Sequence, residues 1–165
     1  MTVTGGFSPG SGQLGVSKAF IARDAADFLL PGLPSNEHAE ASGRGVLLLA
    51  DGSRHEGDLF GAATIAEGEL VFTTNMTGYQ ESLTDPSFAG QVLTFTWPLL
   101  GNYGIAPGIS ESSGVWPRGV VCRELMMEPD HRHCIGTVHD LLLAHGVPGI
   151  SGIDTRAVTR RVREY

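Results

Sequence analysis

The sequence contains little cysteine, little lysine and few aromatic residues. Only two of its 165 residues are cysteine, Lys18 is the only lysine, and aromatic residues make up 7%. Two cysteines are too few for a disulfide framework, so we expect a reducing compartment, the cytoplasm. No apolar run approaches the roughly 18 residues of a membrane-spanning helix, so we expect no membrane partner. The amino terminus has no basic residue ahead of an apolar stretch and does not resemble a secretory signal.

Positive charge is also scarce, because the formal net charge is −7. A protein that binds nucleic acid or an anionic membrane needs a basic footprint, so the composition argues against both partners. The exception is the end of the chain, where arginines outnumber acidic residues: Arg156, Arg160, Arg161 and Arg163. A basic final helix complements its own dipole, which is the simpler interpretation, and is also suited to an acidic partner.

Two regions differ in composition. Residues 1–44 are rich in glycine, serine, threonine and proline, and we expect a flexible or weakly ordered extension there. Ser17 could cap a short helix in this extension, although a poorly ordered segment is the simpler interpretation. One face of that helix would carry Phe20, Ile21, Ala25, Phe28 and Leu29. Residues 45–165 have the texture of one compact domain with frequent turns.

Period-two alternation and apolar runs predict strands near 46–49, 53–60, 70–74, 91–97, 119–123 and 147–150. Asp51 and Gly52 favour a hairpin turn between the first two. Thr137 and Asp140 resemble a capping box for one helix, and Asp154 can cap a final helix over 155–164. Strands therefore come first and two helices follow toward the carboxyl terminus, which predicts an α/β or α+β domain.

Four stretches carry a family resemblance: residues 49–61, 69–87, 90–104 and 149–160. The longest reads ELVFTTNMTGYQESLTDPS. Together they resemble the amino-terminal domain of the small subunit of glutamine-hydrolysing carbamoyl-phosphate synthase, over about residues 45–164. The resemblance implies a layered β/β/α domain of the swivelling type.

The resemblance implies that, in this family, the domain precedes a class I glutamine amidotransferase domain with a Cys-His-Glu triad. Ammonia then passes to a large subunit, which uses ATP, metal and bicarbonate to make carbamoyl phosphate for arginine and pyrimidine synthesis. The sequence ends at Tyr165, so we expect the amidotransferase domain to be absent and the chain to be non-catalytic, without a cofactor of its own. Its expected partners are that domain, supplied in trans or lost, and the large subunit.

The turn at residues 84–87 is the candidate site. Aspartate before proline, flanked by hydroxyl residues, is typical of a structural turn. The resemblance adds that Ser87 contacts the L-glutamine bound in the neighbouring amidotransferase domain. Other motif positions are expected to be structural or to lie at interfaces: Thr77, Gly78, Tyr79, Gln80, Asp85, Pro86, Asp154 and Arg156.

A competing hypothesis is a stand-alone module that binds a metal or a small molecule through His131, His133 and Cys134, with Cys122 or His139 as a fourth ligand. These residue types suit zinc, but their spacing matches no usual structural zinc pattern, so we predict no metal site. Cys122 sits inside a predicted strand, where a small buried side chain is a simpler role than a nucleophile.

Overall fold

The computed structural model describes residues 18–23 and 40–163. The strands among them are β1 (Lys18–Ala22), β2 (Arg44–Leu49), β3 (Arg54–Gly61), β4 (Ala66–Thr73), β5 (Gln91–Phe95), β6 (Leu99–Leu100), β7 (Gly119–Val121), β8 (Glu124–Leu125) and β9 (Pro148–Ser151). The helices are α1 (Tyr79–Thr84), α2 (Val138–Ala144) and α3 (Thr155–Arg163). Within the described part of the chain, no helix is long and apolar enough to cross a bilayer.

Seven strands close into a barrel in the order β1-β2-β3-β9-β7-β5-β4. The neighbours β4-β5, β5-β7 and β7-β9 are parallel, whereas β1, β2 and β3 pair in antiparallel fashion with their neighbours. The four parallel strands define two ends of the barrel. We call the end where they begin the amino-end face, and the end where they finish the carboxyl-end face.

Alternating side chains divide the core into two apolar layers. On β5, Val92 joins the first layer, while Leu93 and Phe95 join the second. The first layer also takes Ile21 from β1 and Val158 from α3. The second layer packs strand side chains against α1 and α2, through residues that include Leu83, Val138 and Leu142. Helix α2 therefore packs against β3 and β9 on one side of the barrel, and α1 joins the same apolar layer.

Local signals explain the two helices near the carboxyl terminus. The Thr137 hydroxyl accepts the Asp140 backbone N–H at 3.0 Å, and the Asp140 carboxylate accepts the Thr137 N–H at 2.9 Å. This reciprocal capping box starts α2, and the backbone N–H of Thr137 is the main reason that the pKa of Asp140 lies below its usual value. At the start of α3, an Asp154 carboxylate oxygen accepts the Ala157 N–H at 3.0 Å.

The mixed α/β class, the strands and the two late helices are confirmed. The layered β/β/α arrangement is not confirmed, since the strands close into a barrel. The short helix considered after Ser17 is wrong at Lys18–Ala22, which form β1 between β2 and β4. Its remainder and most of the extension 1–44 lie outside the described residues. β1 forms because Ala19 and Ile21 bury completely in the barrel, a long-range gain that local patterning does not reveal.

Candidate functional site

The glycine-tyrosine pair of the long motif starts α1. Gly78 caps the helix with φ of 80°, a left-handed conformation that glycine adopts without strain. Its N–H donates to the Tyr103 hydroxyl at 2.9 Å, and the Tyr79 hydroxyl donates to the Gly104 carbonyl at 2.7 Å. The two tyrosine rings stack with centroids 4.2 Å apart. Burial raises the pKa of the Tyr79 hydroxyl, so this tyrosine acts as a neutral packing group.

The side chain of Gln80 connects α1 to the segment that follows Gly104 through hydrogen bonds. Its side chain is almost fully buried, at 2% exposure. The amide nitrogen donates to the Ala106 carbonyl at 2.8 Å and to the Ser110 hydroxyl at 2.9 Å, while the amide oxygen accepts the Ala106 N–H at 2.9 Å. The residue was predicted as structural or interfacial from its motif, and its contacts are internal to the domain.

The turn at 84–87 presents Ser87 on the surface. The Asp85 carboxylate accepts the Ser87 backbone N–H at 2.8 Å, and Pro86 opens a single 3-10 turn, Pro86–Phe88. The backbone N–H of Ser87, and then its hydroxyl, hold the pKa of the Asp85 carboxyl below its usual value. Asp85 and Pro86 therefore fix the backbone of an exposed serine on a short, preorganised turn.

Residues 111–116 support this turn through hydrogen bonds. The Thr84 hydroxyl accepts the Glu111 N–H at 2.9 Å, and the Ser112 hydroxyl donates to the Thr84 carbonyl at 2.7 Å. The Trp116 indole N–H then donates to the Ser112 hydroxyl at 2.8 Å. Trp116 remains 42% exposed, so it places an aromatic surface close to the serine turn. Sequence reasoning missed this support, because its partners are about 27 residues apart.

The amino-end face carries Ser87, since the turn directly precedes β5. Ile65, just before β4, is also exposed there. An open pocket of about 270 Å³ at this end is lined by residues that include Ile65, Pro117, Arg118 and Val147. This end therefore combines the exposed hydroxyl of Ser87, apolar surface and the guanidinium of Arg118.

Neither cysteine has the surroundings of a thiol nucleophile. Cys122 is fully buried after β7, and burial raises the pKa of its thiol, which opposes formation of the reactive thiolate. Cys134 donates its S–H to the Gly136 carbonyl at 3.1 Å. The rings of His131 and His133 lie 5.6 Å apart, centroid to centroid. Within residues 18–23 and 40–163, no group of three His, Cys, Asp or Glu side chains is placed to hold a metal.

The remaining predicted positions are Thr77, Asp154 and Arg156. Thr77 is exposed just before Gly78. Asp154 caps α3, and Arg156 projects from the first turn of that helix into solvent. The structure thus brings residues 77–87 together on α1 and its turns, and it places Asp154 and Arg156 beyond the end of β9.

The fold and this site define a mixed α/β barrel domain in which the motif residues build a rigid, exposed turn. Residues 47–165 match the family described as "Carbamoyl-phosphate synthase small chain, CPSase domain". The chain therefore belongs to the carbamoyl-phosphate synthase small chain family.

Curated relatives support the same assignment. The carbamoyl phosphate synthase small chain of Methanopyrus kandleri is 50% identical over 120 residues, which cover 73% of this chain and 33% of the relative. The proteins of the same name from Staphylococcus haemolyticus and Nostoc sp. are 45% and 48% identical, covering 74% and 73% of this chain and 33% and 31% of theirs. The chain spans about a third of the length of these relatives.

Proposed function

We propose that this chain acts as the non-catalytic amino-terminal domain of the small subunit of a glutamine-dependent carbamoyl-phosphate synthase in the cytoplasm. In this role it docks a glutamine amidotransferase domain and the large synthetase subunit, so that ammonia passes between them for arginine and pyrimidine precursor synthesis. The observation that carries the proposal is the family match over residues 47–165. The burial of Cys122 supports the non-catalytic part, because a buried thiol is a poor nucleophile.

The proposed contribution to the glutamine site is Ser87. A hydroxyl can donate to one polar group of glutamine and accept from another. The short turn supports this role, because Asp85 and Pro86 fix the serine backbone before any partner binds and a preorganised contact loses little entropy on binding. Trp116 beside the turn supplies apolar surface for the domain that holds the glutamine.

The large subunit is the proposed site of ATP, metal and bicarbonate chemistry, so this chain needs no cofactor. Exposed apolar side chains support a docking role, because large apolar residues on a surface often mark protein interfaces. In the described regions these exposed residues are Ile65, Met76, Trp97, Trp116, Met127 and Ile135.

Reconstitution tests the proposal. The purified 165-residue chain is assayed for glutamine hydrolysis alone, then mixed with a separately expressed amidotransferase domain and a large subunit from a close relative. We expect no hydrolysis by the chain alone, and glutamine-dependent carbamoyl phosphate formation only when all three components are present. Hydrolysis by the chain alone, abolished in Cys122→Ser or Cys134→Ser, would contradict the proposal.

A further inference from the structure

Helix α3 carries a row of arginines that the domain itself does not neutralise. Arg156, Arg160 and Arg163 are exposed, and their spacing of four and three residues places them along one side of the helix. In the described part of the chain none of them forms an ion pair. Arg161, by contrast, binds Asp51 at 2.8 Å and ties the helix to the β2-β3 hairpin.

The stability of the helix itself does not account for the whole row. Arginines in the last turn complement the helix dipole, but Arg156 lies in the first turn, where a positive charge is unfavourable. Arg156 and Arg160 are also like charges four residues apart, and Arg160 and Arg163 are like charges three residues apart, which is mildly destabilising. In a chain of net charge −7, a contact outside the domain explains the row better than the stability of the helix.

The row lies at the carboxyl-end face. Helix α3 follows β9 directly, and the Arg163 guanidinium sits 5.1 Å from the ring centre of Phe72, near the end of β4. Arg123 adds a further exposed charge here, since its carbonyl accepts the N–H of Gly152, which precedes the helix.

The same end displays apolar side chains. Met76 lies in the segment that follows β4, and Trp97 lies just after β5. Both are exposed, and their segments start at adjacent positions because the Thr96 N–H donates to the Thr73 carbonyl at 3.1 Å. An exposed tryptophan and methionine at the same end of the barrel as these arginines match the composition of protein interfaces.

Ser87, on the other hand, belongs to the amino-end face, because its turn precedes β5. A partner that brings glutamine to Ser87 therefore approaches the opposite end of the parallel strands. The two ends are available for two different partners.

We propose that the carboxyl-end face binds an acidic surface of the synthetase subunit, with carboxylates of that subunit held by Arg156 and Arg160. A guanidinium binds a carboxylate through two parallel hydrogen bonds, so a row of free arginines favours an acidic protein surface. This inference rests on the proposed function and assigns each partner its own face. A nucleic acid partner is disfavoured by the net charge of the chain.

Charge reversal tests the assignment. The full chain carrying both Arg156→Glu and Arg160→Glu is compared with wild type for binding to the purified large subunit, by surface plasmon resonance at several salt concentrations. We expect binding at least about 30-fold weaker and less dependent on salt, with binding to the amidotransferase domain unchanged. The matched control is Arg44→Glu, an exposed arginine on β2 that contacts Asp58 within the domain, and it should bind the large subunit like wild type.

The milder pair Arg156→Gln and Arg160→Gln keeps the test valid if charge reversal disturbs folding, and it should weaken binding in the same direction. Wild-type affinity in both double variants would overturn this inference while leaving the proposed function intact. If the double variants lose binding to the amidotransferase domain alone, the assignment of the two faces is wrong. If the wild-type chain binds a DNA duplex in a salt-dependent way and the double variants do not, the proposal that the partner of the row is a protein is wrong. A wild-type chain that binds no large subunit would overturn the inference and the proposed function together.

Discussion

The side-chain amide of Gln80 pairs with both backbone polar groups of Ala106, at 2.8 Å to the carbonyl and 2.9 Å from the N–H. A side chain here takes the place of a neighbouring strand, because it satisfies one donor and one acceptor of the same residue. The segment that begins at Ala106 thereby becomes part of the support for α1 and for the turn that carries Ser87.

Replacing Gln80 with alanine should therefore destabilise the domain strongly. The substitution leaves the buried Ala106 N–H and carbonyl without partners, and we expect a loss of at least about 2 kcal/mol in the free energy of unfolding. Urea unfolding followed by circular dichroism measures it. Gln91→Ala is the matched control, because the hydrogen bond of its side chain in the described part of the chain is a long, exposed contact of 3.5 Å to Glu69. Equal stability of the two variants would contradict the role given to Gln80.

His139 makes a second contact between distant parts of the chain. Its Nδ1 accepts the Gly61 N–H at 3.0 Å in a buried environment, while its Nε2 lies 3.3 Å from the exposed Glu40 carboxylate. His139→Phe should cost about 1–3 kcal/mol, since it leaves the Gly61 N–H unsatisfied. Glu40→Gln should cost less than about 1 kcal/mol, because solvent screens the outer contact. Thermal unfolding of both variants checks this order, and the reverse order would refute it.

His55 predicts a loss of stability in mild acid. Burial, and then the nearby Arg161 charge, lower its pKa below the unfolded value of 6.5, although Asp51 and Asp154 act in the opposite direction. The unfolded chain therefore binds more protons than the folded one as the pH falls through 6.5. The contribution of neutral His55 to the free energy of unfolding is lost over this range.

Urea titrations between pH 8 and pH 5 measure the effect, and His55→Gln should flatten the curve. Ser113→Ala, a change at an exposed side chain that does not titrate, serves as the control and should leave the shape of the curve as in wild type. The free energy of unfolding of the wild type could instead rise on acidification from pH 7 to pH 5.5, with the rise absent in His55→Gln. That result would show that the pKa of His55 shifts on folding in the opposite direction.

We expect that the hydroxyl of Thr94 does not contribute to the stability of the core. Thr94 is fully buried on β5, and its hydroxyl has no hydrogen-bond partner among residues 18–23 and 40–163. Thr94→Val, of nearly the same shape, should leave stability unchanged or raise it by up to about 1 kcal/mol. Thr84→Val is the contrast, because the Thr84 hydroxyl donates to Gln80 and accepts from Glu111. A clear loss in Thr94→Val would mean that its hydroxyl is satisfied within the core.

Elements with strong local signals could be predicted from the sequence. The alternation at 91–97 matches Gln91–Phe95, and the capping residues Thr137 and Asp154 begin α2 and α3 where expected. These signals depend on neighbours within a few residues, so the sequence alone displays them.

What could not be predicted depends on contacts between distant residues. The local pattern of Lys18–Ala22 is compatible with a helix and gives no sign of a strand. The strands that pair with this segment, β2 and β4, lie more than 20 residues away in the sequence. Closure of the barrel depends on the same pairing. The contacts of Gln80 and His139 span 26 and 78 residues, so their polar side chains gave no local sign of burial. The glutamine role of Ser87 came from the family resemblance, and it stays a prediction.

The most direct test is the Michaelis constant for glutamine in the reconstituted three-component assembly, with wild-type chain and with Ser87→Ala. Ammonia-dependent synthesis serves as the internal control, because it bypasses glutamine binding. Ser42→Ala, at an exposed serine just before β2, is the matched variant. We predict that Ser87→Ala raises the constant for glutamine about 10-fold, the loss of one hydrogen bond of about 1.4 kcal/mol, with ammonia-dependent activity unchanged. An unchanged constant in Ser87→Ala would contradict the contribution of this domain to the glutamine site.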